Sequence, residues 1–401
     1  MSKIKACQSR KVLDSRGDWT IESKVTLESG VSASASIPQG KSTGSREAIS
    51  LPAEQALVNV DTRINEVLKG MEVSDQGGVD RKMLELDATH NKSNLGANAI
   101  LSISLATARA ATQEDGSSLW SHLRNLYRDK IDNKAPRLFI NCINGGVHAG
   151  SGLEIQEYIV VPKFDTIRES IEFGAEFYKK LKEILTEAFG PTAAEIGDEG
   201  GFAPHMTDNV APLQYMRQAL SKLDAEDKAE LGIDAAANTI KRSPNELRRW
   251  YREMRDKYDL LFVEDPFNEN NIDDFVTLAH EFNGRPMIIG DDLTTTDSKE
   301  IEKAALAGAV NGVIIKPNQI GTLTETFEAI RVARNNNLFV IISHRSGETN
   351  DDFIADLAWA VGADGIKLGA PARGERVAKY NRLLEIEENR PCLTSHTSCT
   401  H

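Results

Sequence analysis

The sequence predicts an α+β N-terminal domain, with antiparallel strands followed by helices, and then a β/α barrel. Two observations predict this order. Alternating apolar and polar residues near the N-terminus give way to helical spacing, and the second half repeats short apolar runs separated by amphipathic stretches. A chain of 401 residues can form two sizeable cores. We therefore expect an N-terminal domain at 1–130, a catalytic barrel at 131–390 and a polar tail at 391–401.

The N-terminal domain is predicted to contain two antiparallel strands and at least two helices. TIESKVTLES and VSASASIP alternate apolar and polar residues on either side of a turn, as half-buried strands do. From about Pro52, apolar residues recur at three- and four-residue spacings in AEQALVNVDTRINEVL and ANAILSISLATARAATQ, which predicts amphipathic helices. The polar stretch RDKIDNKAP marks the expected domain boundary.

The barrel is predicted from a repeated unit of one apolar run and one amphipathic stretch. Buried parallel strands form continuous apolar runs, and serial β/α units close into a barrel with its active site at the carboxyl ends of the strands. Here six successive apolar runs end in, or next to, a chemically active residue. These residues are Asp234, Glu264, Asp291, Lys316, His344 and Lys367.

The three acids in this set predict a metal site. Carboxylates that converge in a cleft repel one another unless a cation neutralises them. Oxygen donors without nearby cysteine or paired histidine favour a hard ion, most simply Mg²⁺. The alternative is that Asp234, Glu264 and Asp291 are helix caps or surface ion pairs.

The two lysines predict a general base. Lys316 and Lys367 would lie beside the metal, where positive surroundings favour the neutral amine. A lysine with a pKa depressed in this way can remove a proton from substrate. For each lysine alone, a surface salt bridge is the alternative.

Three further segments carry candidate site residues. INGGVHAGSGLEIQEYIVVP contains His148 and Glu157, and EIGDEGGFAP places Glu199 between glycines that let backbone approach a ligand closely. HRSGET places Arg345 and Ser346 after a strand end, where their side chains can donate to phosphate oxygens. A turn without a ligand is the alternative for each glycine-rich segment.

Composition argues against several kinds of partner and location for this chain. The formal charge is −13 and the pI about 5.2, which argues against nucleic acid or an anionic membrane as a partner. Four cysteines are too few for a disulfide framework. The charged N-terminal segment lacks the apolar core of a signal peptide, and no apolar run is long enough to span a bilayer. We expect a cytoplasmic protein.

One segment resembles a nucleotide phosphate loop without matching it. ASIPQGKS contains the GKS of such a loop, but Ala35 occupies the position of the first required glycine. Pro52 follows soon after, so the helix whose N-terminus would bind phosphate is not predicted. We do not expect a nucleotide site here.

Motifs along nearly the whole chain resemble those of enolase in order and separation. They include SRGDWT, GKSTGSREA, NKSNLGANAILSISLA, NGGVHAGSGLEIQEY, GDEGGFAP, EDPF, GDDLTTT, KPNQIGTLTET, SHRSGET and IKLGAPARGERVAKYN. The resemblance implies an α+β capping domain before a modified eight-stranded barrel. It also implies two Mg²⁺ ions during turnover, a small phosphorylated acid as substrate, and a homodimer or a ring of dimers.

The resemblance also implies catalytic roles for residues of this chain. Lys316 would remove the C2 proton of 2-phosphoglycerate. Glu199 would assist departure of the C3 hydroxyl, with Glu157 in the same network. His148 would close over the substrate, and His344 would lie beside the leaving hydroxyl. The product would be phosphoenolpyruvate.

The remaining implied roles are metal and substrate binding. One Mg²⁺ would be held by Asp234, Glu264 and Asp291, and Ser42 would help to hold the second. Lys367 would face the substrate carboxylate. The side chains expected to contact substrate are His148, Glu157, Arg345, Ser346, Lys367, Ser42 and Lys41.

The first lid segment departs from the family pattern and leaves alternatives open. It reads QGKSTG where enolases usually read SGASTG, so Lys41 adds a cation beside the expected metal and phosphate. Asp18 and Trp19 also replace a customary Asn-Pro. The chain could be an enolase, a paralogue acting on a related phosphonate or phosphorylated acid, as carboxyphosphonoenolpyruvate synthases do, or a non-catalytic scaffold.

Overall fold

A computed structural model describes residues 2–41, 44–131 and 134–389. Ser42 and the tail expected at 391–401 lie outside the described residues. The N-terminal domain contains a three-stranded antiparallel sheet in the order β1-β2-β3. Its strands are β1 Ile4–Leu13, β2 Trp19–Leu27 and β3 Ser32–Ser36.

The two predicted strands are confirmed as β2 and β3, but the sequence interpretation missed β1. Only Ile4 and Cys7 are buried in β1, so most of the strand is polar and the alternation that would have revealed it is weak. β1 is an edge strand that pairs only with β2 in this sheet, and such a strand can carry charged residues on most positions.

Helices cover one face of this sheet. They are α1 Ala53–Asn59, α2 Asn65–Leu68, α3 Gln76–Asp87, α4 Ala97–Asp115 and α5 Leu119–Tyr127, with a π-helical segment at Val60–Ile64. The long helix α4 lies between the sheet and the barrel. Its Ser102 hydroxyl bonds Ser23 of β2 at 2.6 Å, and its Ser104 hydroxyl accepts the Leu323 N–H from the barrel at 3.0 Å. Both faces of α4 are therefore buried, as its apolar sequence indicates.

Eight strands form the closed barrel that the sequence predicts. The ring runs β10-β11-β4-β5-β6-β7-β8-β9. The strands are β4 Arg137–Asn144, β5 Glu157–Pro162, β6 Ala229–Asp234, β7 Phe262–Glu264, β8 Met287–Gly290, β9 Gly312–Ile315, β10 Phe339–Ser343 and β11 Gly365–Gly369.

One barrel strand runs against the others. β5 pairs antiparallel with both β4 and β6, whereas the remaining neighbours pair parallel. Because of this reversal, the first residue of β5 is level with the last residue of β6, and Glu157 lies opposite Asp234. An acid at the start of a strand is thereby placed at the mouth, where the parallel strands end.

Helices surround the barrel. They are α6 Ile167–Phe189, α7 Ala211–Lys222, α8 Pro244–Tyr258, α9 Ile272–Phe282, α10 Ser298–Leu306, α11 Pro317–Ile320, α12 Leu323–Asn335, α13 Phe353–Ala360 and α14 Gly374–Glu388. The predicted helices SPNELRRWYREMRDKY and SKEIEKAALAGA correspond to α8 and α10. Ser243 and Glu246 form a reciprocal cap at the start of α8. Among the described residues, no helix is both long and apolar enough to cross a membrane.

Candidate active site

Strand periodicity separates an apolar barrel interior from a polar mouth. Side chains two residues apart on a strand point the same way. Phe262, Ile289 and Ile314 belong to the buried cluster that fills the barrel. Two residues further on, each strand reaches Glu264, Asp291 or Lys316, which therefore project into the same space above that cluster. The predicted placement of these side chains at the carboxyl ends of the strands is confirmed.

Lys367 holds three carboxylates together at the mouth. Its Nζ lies 3.2 Å from Glu157 Oε2, 3.3 Å from Asp234 Oδ2 and 2.9 Å from Glu264 Oε2. All four side chains are buried. Beside them, Lys316 Nζ forms an ion pair with Asp291. The structure thus brings together all five of the acids and lysines predicted from strand ends, and adds Glu157 from the reversed strand.

The expected metal ligands surround amines in this structure. Among the described residues, the acidic or histidine groups whose ligand atoms all lie within 4.8 Å of one another are His148–Glu157–Glu199 and Asp265–Asp291–Asp292. Asp234, Glu264 and Asp291 do not form such a group, because Lys367 and Lys316 bind their carboxylates.

The donor set nevertheless fits a divalent cation. The mouth cavity is lined by six carboxylate side chains but by three lysine or arginine side chains. Burial, and then the charge of Asp234, raise the pKa of Glu264 well above its ordinary value. The excess of acids over basic side chains in the lining leaves room for a further positive charge, and oxygen donors of this kind suit a hard ion.

Among the protein groups alone, the pKa values of both lysines are raised, and their depression beside a bound metal ion stays a prediction. Burial alone would lower the pKa of Lys316, but the Asp291 carboxylate outweighs it and raises the pKa. Burial likewise opposes the charged form of Lys367, yet Glu157 and Glu264 raise its pKa well above the ordinary value. The prediction assumed positive surroundings, whereas the carboxylates themselves dominate the field at both amines.

A second cluster forms around Glu199. Its Oε1 lies 3.4 Å from His148 Nδ1, and its Oε2 lies 3.7 Å from His344 Nε2. The Asn141 side chain donates to Glu199 Oε2 at 2.9 Å. Glu157 lies close enough for one carboxylate oxygen to be within 4.8 Å of Glu199 and His148. The residues expected around the leaving hydroxyl are therefore neighbours.

The pKa values of the two carboxyl groups in this cluster shift in opposite directions. Burial and the nearby charge of Glu199 raise the pKa of Glu157 well above its ordinary value. Burial also opposes ionisation of Glu199, but His148, His344 and Arg376 outweigh it and lower the pKa of Glu199. Burial lowers the pKa of both His148 and His344. Protonation of the pair is therefore more favourable at Glu157 than at Glu199.

The loop that carries Glu199 depends on glycine at position 200. Gly200 has a φ of +83°, and a Cβ there would lie 3.1 Å from the Ala372 carbonyl oxygen. The Glu199 carbonyl accepts the Ala370 N–H at 2.9 Å. This contact, beside the end of β11, fixes the backbone from which the Glu199 side chain projects.

The predicted phosphate-binding residues are held by the N-terminal domain. Glu47 accepts from both Nη atoms of Arg345, at 2.9 and 3.2 Å. The Ser346 hydroxyl accepts the Lys41 N–H at 2.7 Å. Lys41 Nζ contacts Asp198 Oδ2 at 3.0 Å, and both side chains are partly exposed. Lys41 is thus paired with the residue before Glu199, and its predicted contact with substrate stays a prediction, as does that of Ser42.

Several residues that shape the site were not predicted from sequence. Asp265 accepts the backbone N–H groups of Asp291 and Asp292 at 2.9 and 2.7 Å, so it orients the third expected metal ligand. The adjacent acids in EDPF were the available signal for it. Glu47 and Arg376 lie within the motifs GKSTGSREA and IKLGAPARGERVAKYN, but neither these motifs nor the strand around Asn141 indicated their distant partners.

Two family models match the chain. The model described as "Enolase, N-terminal domain" matches residues 4–123, and the model described as "Enolase, C-terminal TIM barrel domain" matches residues 133–242 and 238–396. Together these matches cover both the three-stranded domain and the barrel.

Curated relatives are similar over nearly their whole length. An enolase of Sulfurisphaera tokodaii is 41% identical over 404 residues, which is 96% of this chain and 96% of that protein. An enolase of Methanopyrus kandleri is 41% identical over 415 residues, covering 97% and 96%. Enolase B of Dictyostelium discoideum is 40% identical over 423 residues, covering 96% and 94%.

Proposed function

Because the chain belongs to the enolase family and is a carbon–oxygen lyase of the phosphopyruvate hydratase type, we propose how its own residues carry out this reaction. The reaction is the reversible dehydration of 2-phosphoglycerate to phosphoenolpyruvate. One observation carries the assignment of residues. Glu157, Asp234 and Glu264 converge on Lys367 beside the Lys316–Asp291 pair, at the carboxyl ends of the barrel strands.

We propose Lys316 as the base that removes the C2 proton. The amine must be neutral to accept a proton, whereas Asp291 favours its ammonium form. The Asp291 carboxylate therefore has to exchange Lys316 for another partner before the base can act. The Gln319 amide already donates to the other oxygen of Asp291 at 3.0 Å, so that carboxylate keeps its position.

We propose that Mg²⁺ is the divalent cation of this site, held by Asp234, Glu264 and Asp291. When bound, it would supply positive charge for the substrate carboxylate as the C2 proton leaves. Hard oxygen donors and an excess of acids over basic side chains support the choice. A second Mg²⁺ near Ser42 is proposed from the family resemblance alone.

The Glu157–Glu199 pair is proposed to deliver the proton to the departing C3 hydroxyl. Burial and the charge of Glu199 raise the pKa of Glu157 well above its ordinary value, and Glu199 lies between His148 and His344. A carboxyl group of raised pKa is suited to donate a proton near neutral pH. His148 and Gln156 line the same cavity, so both can restrict water around the leaving group.

Phosphate and carboxylate binding are proposed for the basic side chains. Arg345 presents a planar guanidinium that carboxylates and phosphates bind in the same way. In the structure the Glu47 carboxylate accepts two hydrogen bonds from that guanidinium. A bound phosphate would replace or share these hydrogen bonds. Ser346 and Lys367 are proposed as the further contacts, and Lys41 is proposed to lie beside the site in its pair with Asp198.

We also propose the domain limits and the cellular context. The domains are taken as 1–130 and 131–390, with the tail at 391–401. The family supports a homodimer or ring of dimers and a place in glycolysis, and the low number of cysteines suits the cytoplasm. Nucleic acid is not a proposed partner, because the chain carries a net charge of −13. Sedimentation of purified protein would test the oligomer.

Lys41 no longer favours a different substrate. The phosphonate alternative depended on an additional cation at the mouth. Asp198 lies 3.0 Å from Lys41 Nζ and compensates that charge, so 2-phosphoglycerate remains the proposed substrate.

A coupled set of assays tests the residue roles. Purified protein with Mg²⁺ and 2-phosphoglycerate should show rising absorbance of the enol product, and a chelator should stop the rise. Lys316→Ala should also lose exchange of the C2 proton with solvent. If Lys316→Ala kept that exchange while the wild type turned over, Lys316 would not be the base.

A further inference from the structure

Arg376, at the start of α14, is a buried arginine that the proposed reaction does not use. Its side chain is completely buried, and it is not among the residues that line the mouth cavity. Burying a guanidinium is unfavourable unless its donors are satisfied. The groups that bind the Arg376 guanidinium therefore indicate its role.

Arg376 joins two loops of the site from behind. Its Nη1 donates to the Arg345 carbonyl at 2.7 Å, and its Nη2 donates to the Ser346 carbonyl at 2.6 Å. Nη2 also contacts the Asp198 carbonyl at 3.2 Å. One side chain thereby ties the turn after β10 to the loop that carries Glu199.

The remaining contact is with an imidazole nitrogen. Arg376 Nη1 lies 2.5 Å from His344 Nδ1. A guanidinium has only donors, so Nδ1 has to accept this bond and cannot carry a proton. The single ring proton of a neutral histidine must then lie on Nε2. Nε2 is the nitrogen that faces Glu199 Oε2, at 3.7 Å.

We propose that Arg376 is a positioning residue that fixes His344 as the neutral tautomer with its proton on Nε2, directed at Glu199. The ring is thus a donor toward the carboxylate and the leaving hydroxyl, and not an acid that titrates during the reaction. The inference rests on the proposed role of Glu199 at the C3 hydroxyl.

The charged groups around His344 agree with this state. Burial lowers the pKa of His344 most strongly, the Glu199 carboxylate opposes that change, and Arg376, Lys367 and Lys316 reinforce it. Removing Arg376 would take away a donor and a positive charge together. His344 would then be able to protonate on Nδ1, and the imidazolium would be populated at higher pH than in the wild type.

Ring nitrogen signals of the wild-type protein provide the primary test. The chain has eight histidines, so protein with ¹⁵N-labelled imidazoles can be assigned by comparison with His344→Asn. His344 should show a protonated Nε2 and an unprotonated Nδ1, unchanged between about pH 6 and 8, where an ordinary histidine titrates. A protonated Nδ1, or an imidazolium in this range, would overturn the proposal. No substrate is needed, so this result is separate from whether the reaction assignment holds.

Substitutions extend the test to function. Arg376→Met should let His344 titrate, move the acid limb of the kcat profile to higher pH, and lower kcat by about 10- to 100-fold, as loss of an orienting partner typically does. Arg376→Lys should restore part of the wild-type ring signal and of kcat. Unchanged ring signals in a folded Arg376→Met protein would overturn the proposal.

A matched variant separates this effect from lost stability. Arg382 lies on the same helix and forms two 2.8 Å bonds with Asp356, away from the mouth. Arg382→Met should lower the melting temperature without changing the His344 signals or the pH profile. If it shifted both as Arg376→Met does, the role of Arg376 would be structural only.

Discussion

The strand ends and the loops of the barrel mouth hold their side chains in different ways. Glu264, Asp291 and Lys316 project from neighbouring strands whose ladder fixes their direction. Glu199 and Lys41 lie on irregular segments that are held by individual contacts with glycine-dependent turns, carbonyls or a single carboxylate. The charged centre, including Glu157 at the start of β5, is therefore part of the sheet, whereas Glu199 and Lys41 are attached to it by loop contacts.

This difference has an energetic consequence. Buried charges at the strand ends share partners, as when Lys367 serves Glu157, Asp234 and Glu264 at once. Removing one member leaves several groups uncompensated, and the effects of substitutions will not add. Among the described residues, Glu199 on its loop has three side-chain neighbours, whereas the Lys41 ammonium forms one ion pair, with Asp198. Removal of the Lys41 pair should therefore have little effect on the rest of the site.

The largest effect is expected for Lys367→Met. Breaking a buried ion pair from one side destabilises by about 3–5 kcal/mol because the other charge remains buried. Here three carboxylates would lose their common cation, and the melting temperature without divalent metal should fall sharply. A divalent cation should recover more stability in this variant than in the wild type, since it would replace the missing charge. Thermal unfolding with and without Mg²⁺ measures both quantities.

Lys379→Met is the matched control for Lys367→Met. Lys379 is equally buried and pairs with Glu348 at 2.9 Å, with two carbonyls as its other acceptors. It should also lose stability, but Mg²⁺ should not recover it. Equal recovery in both variants would show that the ion binds elsewhere than at the carboxylates around Lys367.

The next largest effect is expected for Glu199→Gln. The amide keeps the shape of the side chain but cannot hold or transfer the proton, and general acid–base groups contribute about 10²–10⁴-fold to rate. kcat for product formation should fall within that range, with a small change in melting temperature. Glu195→Gln, an exposed position in the same loop, is the control. Retention of more than half of wild-type kcat in Glu199→Gln would contradict its role.

Gly200→Ala tests how the loop places Glu199. A residue with a Cβ is disfavoured at a φ of +83° by roughly 1–2 kcal/mol, and the Cβ would also crowd Ala372. If the loop shifts to relieve this strain, kcat should fall by about tenfold while KM changes little. Gly374→Ala is the control, because its Cβ would have nothing within 4 Å. Equal kcat values for the two variants would show that the loop absorbs the strain elsewhere.

Much of the strand-end region could be predicted from the sequence, because it follows local rules. Each apolar run predicted its strand, and the residue at its end predicted a side chain at the mouth. Asp234 and Glu264 end β6 and β7, and Lys316 follows β9 directly. Lys367 lies inside β11, two residues before its end at Gly369, and its Nζ still reaches the carboxylates at the mouth. The reversed strand β5 could not be predicted from periodicity, which carries no information on strand direction.

The features that sequence reasoning missed depend on partners far apart in the chain. Glu47 binds Arg345, and Arg376 binds His344, across the domain interface or across barrel units. The raised lysine pKa values could not be read from sequence either, because the balance of buried charge depends on which carboxylates approach each amine. Residue types at the strand ends indicated the chemistry of the site. Its electrostatics depend on distances between side chains, which the sequence does not contain.

The smallest effect is expected for Lys41→Ala. Partly exposed ion pairs contribute about 0.2–1 kcal/mol, and the Lys41 and Asp198 side chains retain 43% and 25% of their exposure. kcat/KM for 2-phosphoglycerate should therefore fall by about five-fold or less, and the difference from wild type should shrink as salt is added. Asp198→Asn should give a similar change, and the double variant should show no further loss, since either substitution already breaks the pair. Lys303→Ala, which removes an exposed pair with Glu300, should leave kcat/KM unaltered. A much larger loss in Lys41→Ala than in Asp198→Asn would mean that the ammonium contacts substrate directly. Equal and small losses would mean that Lys41 only attaches the first lid segment to the loop of Glu199, as a lid contact that the charged centre does not require.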